Sequence, residues 1–568
     1  MTIDQTTHAD LVLTGGKVIT LDQQSRIARA VAVKADKILA VGSDTEIAPL
    51  IGPRTRRIDL AGQAVIPGLI DTHAHMDIEG LKYIYPSLAG ARSIDDVLQL
   101  IEPHVRAAKP GEWVTTMPLG SPPNYEDAPL NLRERRFPNR WEIDKIAPNN
   151  PVYIRPIFGY WRGLEGFTLD SAANSAALKL AGITRHTVPP WDGITIKKDA
   201  SGEPNGIFHE KTLMSVVELT LMAVAPRFSD AIKTQALRKS MQVYAGLGTT
   251  SVYETHGVSA EIMRAYKAID DAEGLTVRAN LMISPAWRTL GETNVGAKLR
   301  DFLSWAAGRG VGNDRLRIAG VFAREGGSAD NEIRIGAMPY TNWGGFSPDS
   351  LLPLAAVREL VFEAARLGIR VSTYSAEHLK LFEEVNRKHP IADRRWFVAH
   401  VGLFTADDIR RMRDLGLVGG AHSNRWIADQ GSMLKQRLGP QRENDIMPLR
   451  SLMDAGVKFG LETDNCPPSL FHPIWHCVAR RHPATGDVVA PDQKLSREEA
   501  LRAATIDGAY CTFDEDAKGS IEAGKLADLA VLTADPLTVD EDRLMDVTAD
   551  LTIVGGRIVH QGGRFASV

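Results

Sequence analysis

The stretch "PGLIDTHAHMD" sets two imidazoles, His73 and His75, two residues apart. Side chains alternate faces along an extended chain, so both rings point the same way. Two imidazoles so placed chelate one divalent metal. The pair follows an apolar run ending in Pro67 and Gly68, which suits the mouth of a barrel better than polar decoration of a surface. Asp464, in "FGLETDNCPP", closes another strand-like run. A carboxylate there can bind metal and take a proton from water, whose pKa falls to near 7 on zinc. The competing reading of Asp464 is a turn or cap residue ahead of Pro467. His400 closes "WFVAH" and reads either as a further ligand or as a satisfied core histidine. His422 ends "GGAHSN" and is placed to hydrogen-bond a substrate; His209 lies in an inserted segment. Trp161, Trp287, Trp343 and Trp426 fall in loops, where they suit an apolar pocket and core packing equally.

Chemistry of this kind needs elements that bring distant residues to one place. Strand-like and helical runs alternate through the middle of the chain, which predicts parallel βα units and a (β/α)8 TIM-type barrel. Eight candidate strands cover residues 64–75, 248–257, 275–284, 315–325, 369–377, 396–402, 415–424 and 458–465. The helix in "TADDIRRMRDLG" opens with a Thr-x-x-Asp capping pattern and stops at Gly416. The connection from about 77 to 227 is too long for a βα loop and carries strands and a helix of its own; it reads as a lid or substrate-binding insert. Both chain ends are rich in short β-branched runs around Gly-Gly turns, and "IVGGRIV" near the end echoes "LTGGKVI" near the start. We expect residues 1–65 and 515–568 to form hairpins that combine into one small β-sandwich, with the barrel over 66–514.

The chain has 568 residues, 44% hydrophobic and 24% charged, which is enough for a large soluble core. A net charge of -4 offers no electrostatic reason for nucleic acid or an anionic membrane as partner, so a small-molecule substrate is expected. Three cysteines without a C-x-x-C pair argue against a disulfide framework or a thiolate zinc site. The polar start lacks a signal-peptide pattern, and no run of 18 apolar residues is present, so a cytoplasmic protein is expected.

"VIPGLIDTHAH", "NSAALKLAGIT", "GEPNGIFHE", "FVAHVGLFTADDIRRMRDLGLVGGAHSN", "GLETDNCP" and "GSIEAGKLADLAVL", in that order, resemble the amidohydrolase superfamily, most closely its YtcJ-like, amidohydrolase-3 branch with the N-substituted formamide deformylases. The resemblance implies a metal-dependent hydrolase. It would cleave the C–N bond of an amide, carbamate or cyclic amide through a metal-activated water. His73, His75, His400 and Asp464 would hold the metal, with Asp464 as general base, and the chain would be a homo-oligomer. Zinc suits such ligands, with manganese or iron as alternatives. Two positions depart from the branch. Val321 stands where it has a bridging lysine, followed by Glu325-Gly326 for Asp-Gly, and Tyr374 stands where it has a strand-five histidine, with His378 four residues later. One ion is therefore expected rather than two. Glu254, His256, Glu325 and His378 are candidate replacement ligands; Glu254, Tyr374, His378 and His422 are candidate substrate-binding groups. The departures leave four other readings open: a one-metal deaminase, a lyase, an ester hydrolase, or a binding protein without catalysis.

Overall fold

The computed structural model describes residues 8–122, 124–126, 128–161, 168–285, 287, 294–326, 328–338, 340–345 and 351–566. Eight parallel strands succeed one another around a barrel: β1 (Leu69–Asp71), β2 (Thr249–Val258), β3 (Arg278–Ile283), β4 (Leu316–Phe322), β5 (Val371–Tyr374), β6 (Phe397–Val401), β7 (Val418–Ala421) and β8 (Phe459–Leu461). Each falls on a segment read as a strand in the sequence, with β2 running one residue beyond the expected 248–257. The seam between β8 and β1 is drawn together by Thr72, whose amide and hydroxyl donate to the Leu461 carbonyl at 3.0 and 2.9 Å. Helices cover the outside because their apolar stripes pack on the sheet. Helix Ala406–Asp414 opens with the expected capping box: Thr405 accepts from the Asp408 amide and Asp408 accepts from the Thr405 amide.

Two sequence expectations need correction. Residues 64–75 do not form one barrel strand. Ala64–Pro67 pairs instead with Leu529–Leu532, and the chain crosses into β1 at Gly68. Glycine is required there, since a Cβ would lie 2.1 Å from the Thr250 hydroxyl. Nor is Leu11–Ile19 a hairpin. Leu11–Thr14 and Lys17–Ile19 belong to different sheets, and Gly15, at φ 68°, turns the corner between them. The repeated Gly-Gly motif therefore makes a corner at one end of the chain and a true hairpin (Ala549–Val554 with Arg557–Gln561) at the other.

The six-stranded sheet runs Arg557–Gln561, Ala549–Val554, Leu529–Leu532, Ala64–Pro67, Lys17–Ile19, Ile27–Ala28. It shares an apolar core with the four-stranded sheet that contains Leu11–Thr14, through Leu13, Val31, Ile58, Val65, Val531 and Ile553. Between β1 and β2 the insert builds a five-stranded sheet of Ile194–Lys198, Pro204–Glu210, Leu169–Ala173, Val152–Ile154 and Val114–Thr116. Among the described residues no helix is long and apolar enough to cross a membrane.

One buried ion pair fastens the barrel to the terminal strands. Arg278 of β3 donates from Nε and Nη2 to the two oxygens of Asp528 at 2.7 and 3.0 Å, and both residues are buried. Arg278→Ala leaves Asp528 as an uncompensated buried charge, so unfolding free energy is expected to fall by about 3–5 kcal/mol. Urea melts of the variant check this. A midpoint equal to that of the unaltered protein would show that the pair is dispensable.

Candidate metal centre

His73 and His75 lie in the turn beyond β1, and four partners set their rings. His73 Nδ1 hydrogen-bonds Thr255 Oγ1 of β2, and its amide donates to Asp71 Oδ1 at 3.2 Å. Asp71 also accepts from the Thr463 amide and hydroxyl, at 3.1 and 2.5 Å, which ties the His73 turn to the segment carrying Asp464. Burial pushes the Asp71 carboxyl up to about 7, against the pull of the Thr463 hydrogen bonds. His75 Nδ1 lies 3.6 Å from Asp77 Oδ1, and its ring stacks on His256 at 4.0 Å. Burial opposes a charge on His75, but Asp464 and Asp77 raise it to about 10.

His400 and Asp464 hold their places by unusual backbone. A register shift between Val398 and Val401 interrupts the pairing of β6 with β7, and His400 stands inside it at φ 57°. Its amide donates to Glu462 Oε1 at 2.9 Å, and its ring lies parallel to Tyr374 at 4.5 Å, interplanar angle 1°. Asp464 has φ 51° and donates its amide to the His73 carbonyl at 3.0 Å. Non-glycine residues held at positive φ cost about 1–3 kcal/mol each, and such strain collects at functional sites.

The result is a carboxylate ringed by imidazoles. His73 Nε2 and His75 Nε2 lie 3.5 and 3.0 Å from Asp464 Oδ1; His400 Nε2 and His422 Nε2 lie 3.7 and 3.4 Å from its Oδ2. Burial opposes ionisation of Asp464, yet the neighbouring His73 and His75 hold it well below the usual carboxylate range. Burial drives His73 and His400 down, and His422 to about 4, so these rings are neutral and have a lone pair to offer. His73 Nε2 and His400 Nε2 are buried and make no hydrogen bond. Neutral imidazole nitrogens left without a proton partner around one carboxylate are the donor set a divalent cation requires, so the residues fit a metal. His73, His400 and Asp464 offer donor atoms within 4.8 Å of one another, as do His73, His75 and His256.

Beside this group lies a second one that sequence reading catches only in part. Asp77, Glu254 and His256 are all buried. Asp77 Oδ2 is 3.3 Å from His256 Nε2, Glu254 Oε2 is 3.5 Å from His256 Nδ1, and Tyr266 donates to Glu254 Oε1 at 2.8 Å. Burial raises Glu254 well above the carboxylate range. Asp77 follows the His pair at the same spacing of two, a signal that "HAHMD" carries openly. Glu462, two residues before Asp464, was readable in the same way.

The centre opens into a cavity of about 740 Å³ lined by His75, His256, Tyr374, His400 and Asp464 on one side and by Phe158, Tyr160 and Trp191 of the insert on the other. Of the substrate-binding candidates, Tyr374 lines it. Glu254 lies beneath His256 and His422 beside His400, neither among the lining residues. His378 hydrogen-bonds Thr373 and groups with Glu325 and Glu377, away from Asp464. Val321 is packed in the barrel core. Trp426 lines the cavity, whereas Trp161 and Trp343 pack edge to face at 5.5 Å with Phe158 and Phe228, Trp287 is buried in the barrel core, and His209 pairs with Asp170 on the insert sheet.

With this geometry established, comparison with known proteins decides the family. A model of the amidohydrolase family matches residues 56–560. The chain belongs to the amidohydrolase family. It is 29% identical over 575 residues to the N-substituted formamide deformylase of Arthrobacter pascens, across 96% of this chain and 97% of that one. A metal-dependent hydrolase from Pyrococcus horikoshii superposes with a TM-score of 0.66 at 21% identity, covering 94% of this chain and 99% of the other. The atrazine chlorohydrolase TrzN of Arthrobacter aurescens, solved with zinc, superposes at 0.52 with 18% identity, over 98% and 97% of the two chains. At such identities the structural matches speak for the fold. As a member of the amidohydrolase family the chain is a hydrolytic enzyme.

Proposed function

We propose that this amidohydrolase cleaves the C–N bond of an amide, carbamate or cyclic amide at a centre holding one divalent ion. The convergence of four imidazole Nε2 atoms on the Asp464 carboxylate, in the lining of a large cavity, carries the reading. His73, His75, His400 and Asp464 would hold the ion, with His422 beside them. When bound, zinc or a similar cation supplies Lewis acidity to the substrate carbonyl and to water. Asp464 accepts the proton of the attacking water and delivers it to the nitrogen as the C–N bond breaks. Asp77 and Thr255 orient His75 and His73 through their Nδ1 atoms, the arrangement that fixes tautomer and ring angle in metal-binding histidines. Tyr374 backs His400 where a further imidazole would otherwise stand.

Asp77, Glu254 and His256 could themselves hold an ion, but one ion is favoured because their contacts with one another and with His75 already give them a supporting role. Each His256 nitrogen faces a carboxylate and Glu254 is anchored by Tyr266, so the group serves to hold His75. Val321 supplies no anionic bridge, and two cations side by side repel strongly without one.

The test joins metal content to turnover on N-substituted formamides, N-acyl amides and cyclic amides. We expect one equivalent of metal after exhaustive dialysis, hydrolysis that disappears on chelation and returns with zinc, and the same single equivalent in Glu254→Gln. Two equivalents, one of them lost in Glu254→Gln, would replace the one-ion centre with a bridged pair. A metal-loaded protein inert towards the whole panel would refute C–N hydrolysis.

A further inference from the structure

Four cations line the cavity: Lys211, Arg324, Arg334 and Arg425. Arg334 is spoken for. It donates to Asp330 at 2.7 Å, to Asn331 at 2.8 Å, and to the Thr212 hydroxyl and Met214 carbonyl at 2.7 and 2.6 Å. Among the described residues the other three make no hydrogen bond or ion pair through their side chains. Arg425 Nε is buried and unpartnered. Among the described residues no carboxylate reaches hydrogen-bond or ion-pair distance of these three, although Asp429 lies close enough to Arg425 to feel its charge. Asp330 is held by Arg334, and Asp464 faces the imidazoles. Glu325 follows Arg324 in the chain and lines the same cavity, where it groups with Glu377 and His378.

Both arginines line the cavity into which the metal centre opens, and both lie close enough to Tyr160 to act on its charge. Arg324 leaves the end of β4 and lies over the Tyr374 ring at 5.0 Å, and Tyr374 is the ring stacked on His400. Arg425 lies in the single π-helical turn that follows β7, three residues beyond His422, and packs over Trp426 at 5.7 Å. Both guanidiniums therefore rest on aromatic faces, which fix them without using their hydrogen-bonding edges. A partly buried guanidinium with its donors unused carries a desolvation cost that a bound anion would remove. Its planar fork matches a carboxylate bidentately.

We propose that Arg324 and Arg425 form an anion subsite, with Lys211 at its outer edge, and that the substrate is an amide that also bears a carboxylate. This rests on the C–N hydrolase reading, and a binding measurement separates the two. The probes are N-formyl-phenylalanine and its neutral methyl ester, assayed with the metal-loaded enzyme. We expect the enzyme to prefer the carboxylate probe, and Arg324→Gln or Arg425→Gln to erode that preference by about 10- to 100-fold, the worth of one charge-assisted hydrogen-bond pair. Metal content is measured alongside, to show that the centre is intact. Equal kcat/KM for the two probes in the unaltered enzyme, or a preference that survives both substitutions, would overturn the subsite. If neither probe is hydrolysed, the wider amide panel decides the C–N reading, and calorimetric titration with N-formyl-phenylalanine decides the subsite. Saturable binding weakened at least about tenfold in Arg425→Gln supports the subsite; absence of binding, or binding indifferent to both arginines, overturns it.

Discussion

Asp464→Asn is expected to lower kcat by at least about 10³-fold, with a far smaller change in KM. The substitution keeps the shape of a side chain that touches four imidazoles, and the backbone bond from residue 464 to the His73 carbonyl remains. It removes the two properties that matter. An amide nitrogen cannot take the proton of a water molecule, and a neutral side chain cannot balance the charge of a bound cation. Both losses act on the bond-breaking step, while the cavity walls of Phe158, Tyr160, Trp191 and Trp426 that embrace a substrate are untouched. Steady-state kinetics with metal content measured in parallel distinguishes the two losses. A variant that keeps its metal and still turns over within about tenfold of the unaltered enzyme would remove Asp464 as the base.

The sequence showed which residues would meet, but not how they are held. His73, His75, His400 and Asp464 were each legible because a polar residue ends an apolar run, and the eight runs set the barrel that gathers them. The alternation argument for His73 and His75 put their rings together by an incomplete route. The strand ends at Asp71, and the two rings converge because Thr255 and Asp77 turn them. The Asp77 contact is local, but the Thr255 contact depends on β2 lying against β1, and the long insert separates the two in sequence. No local pattern could show that His256 stacks on His75, or that Glu254 points inward beneath it. His422 was read as a substrate group because its strand ends like the others. Nothing in "GGAHSN" reveals that its ring would stack on His400 and reach Asp464. The Gly-Gly corner at Gly15 was misread for the same reason. A turn residue signals that the chain turns, while the sheet that receives the next strand is decided by tertiary packing.

His73→Ala is expected to remove most of the bound metal and, with it, activity, while the protein stays folded. His73 is fully buried, and its Nε2 has no hydrogen-bond partner among the groups around it, so its stability role is slight beside its role as a donor. The backbone that holds the turn survives the change. The amide of residue 73 still donates to Asp71, and Asp71 still binds Thr463. The vacated space is lined by polar groups, including Thr255 and Asp464, and can take in water where an apolar cavity could not. Thr255→Val is the graded companion, because it frees the Nδ1 edge of His73 but leaves the ring in place. Orienting partners of this kind are worth about 10- to 100-fold in metal affinity, and loss of the ligand itself should exceed that range. Competition against a chelator of known affinity should therefore rank the unaltered protein above Thr255→Val, and Thr255→Val above His73→Ala. Circular dichroism of each variant should be unchanged. Full metal retention in His73→Ala would move the centre away from the β1 turn. A Thr255→Val variant as weak as His73→Ala would instead show that the ring binds only when Thr255 fixes its tautomer.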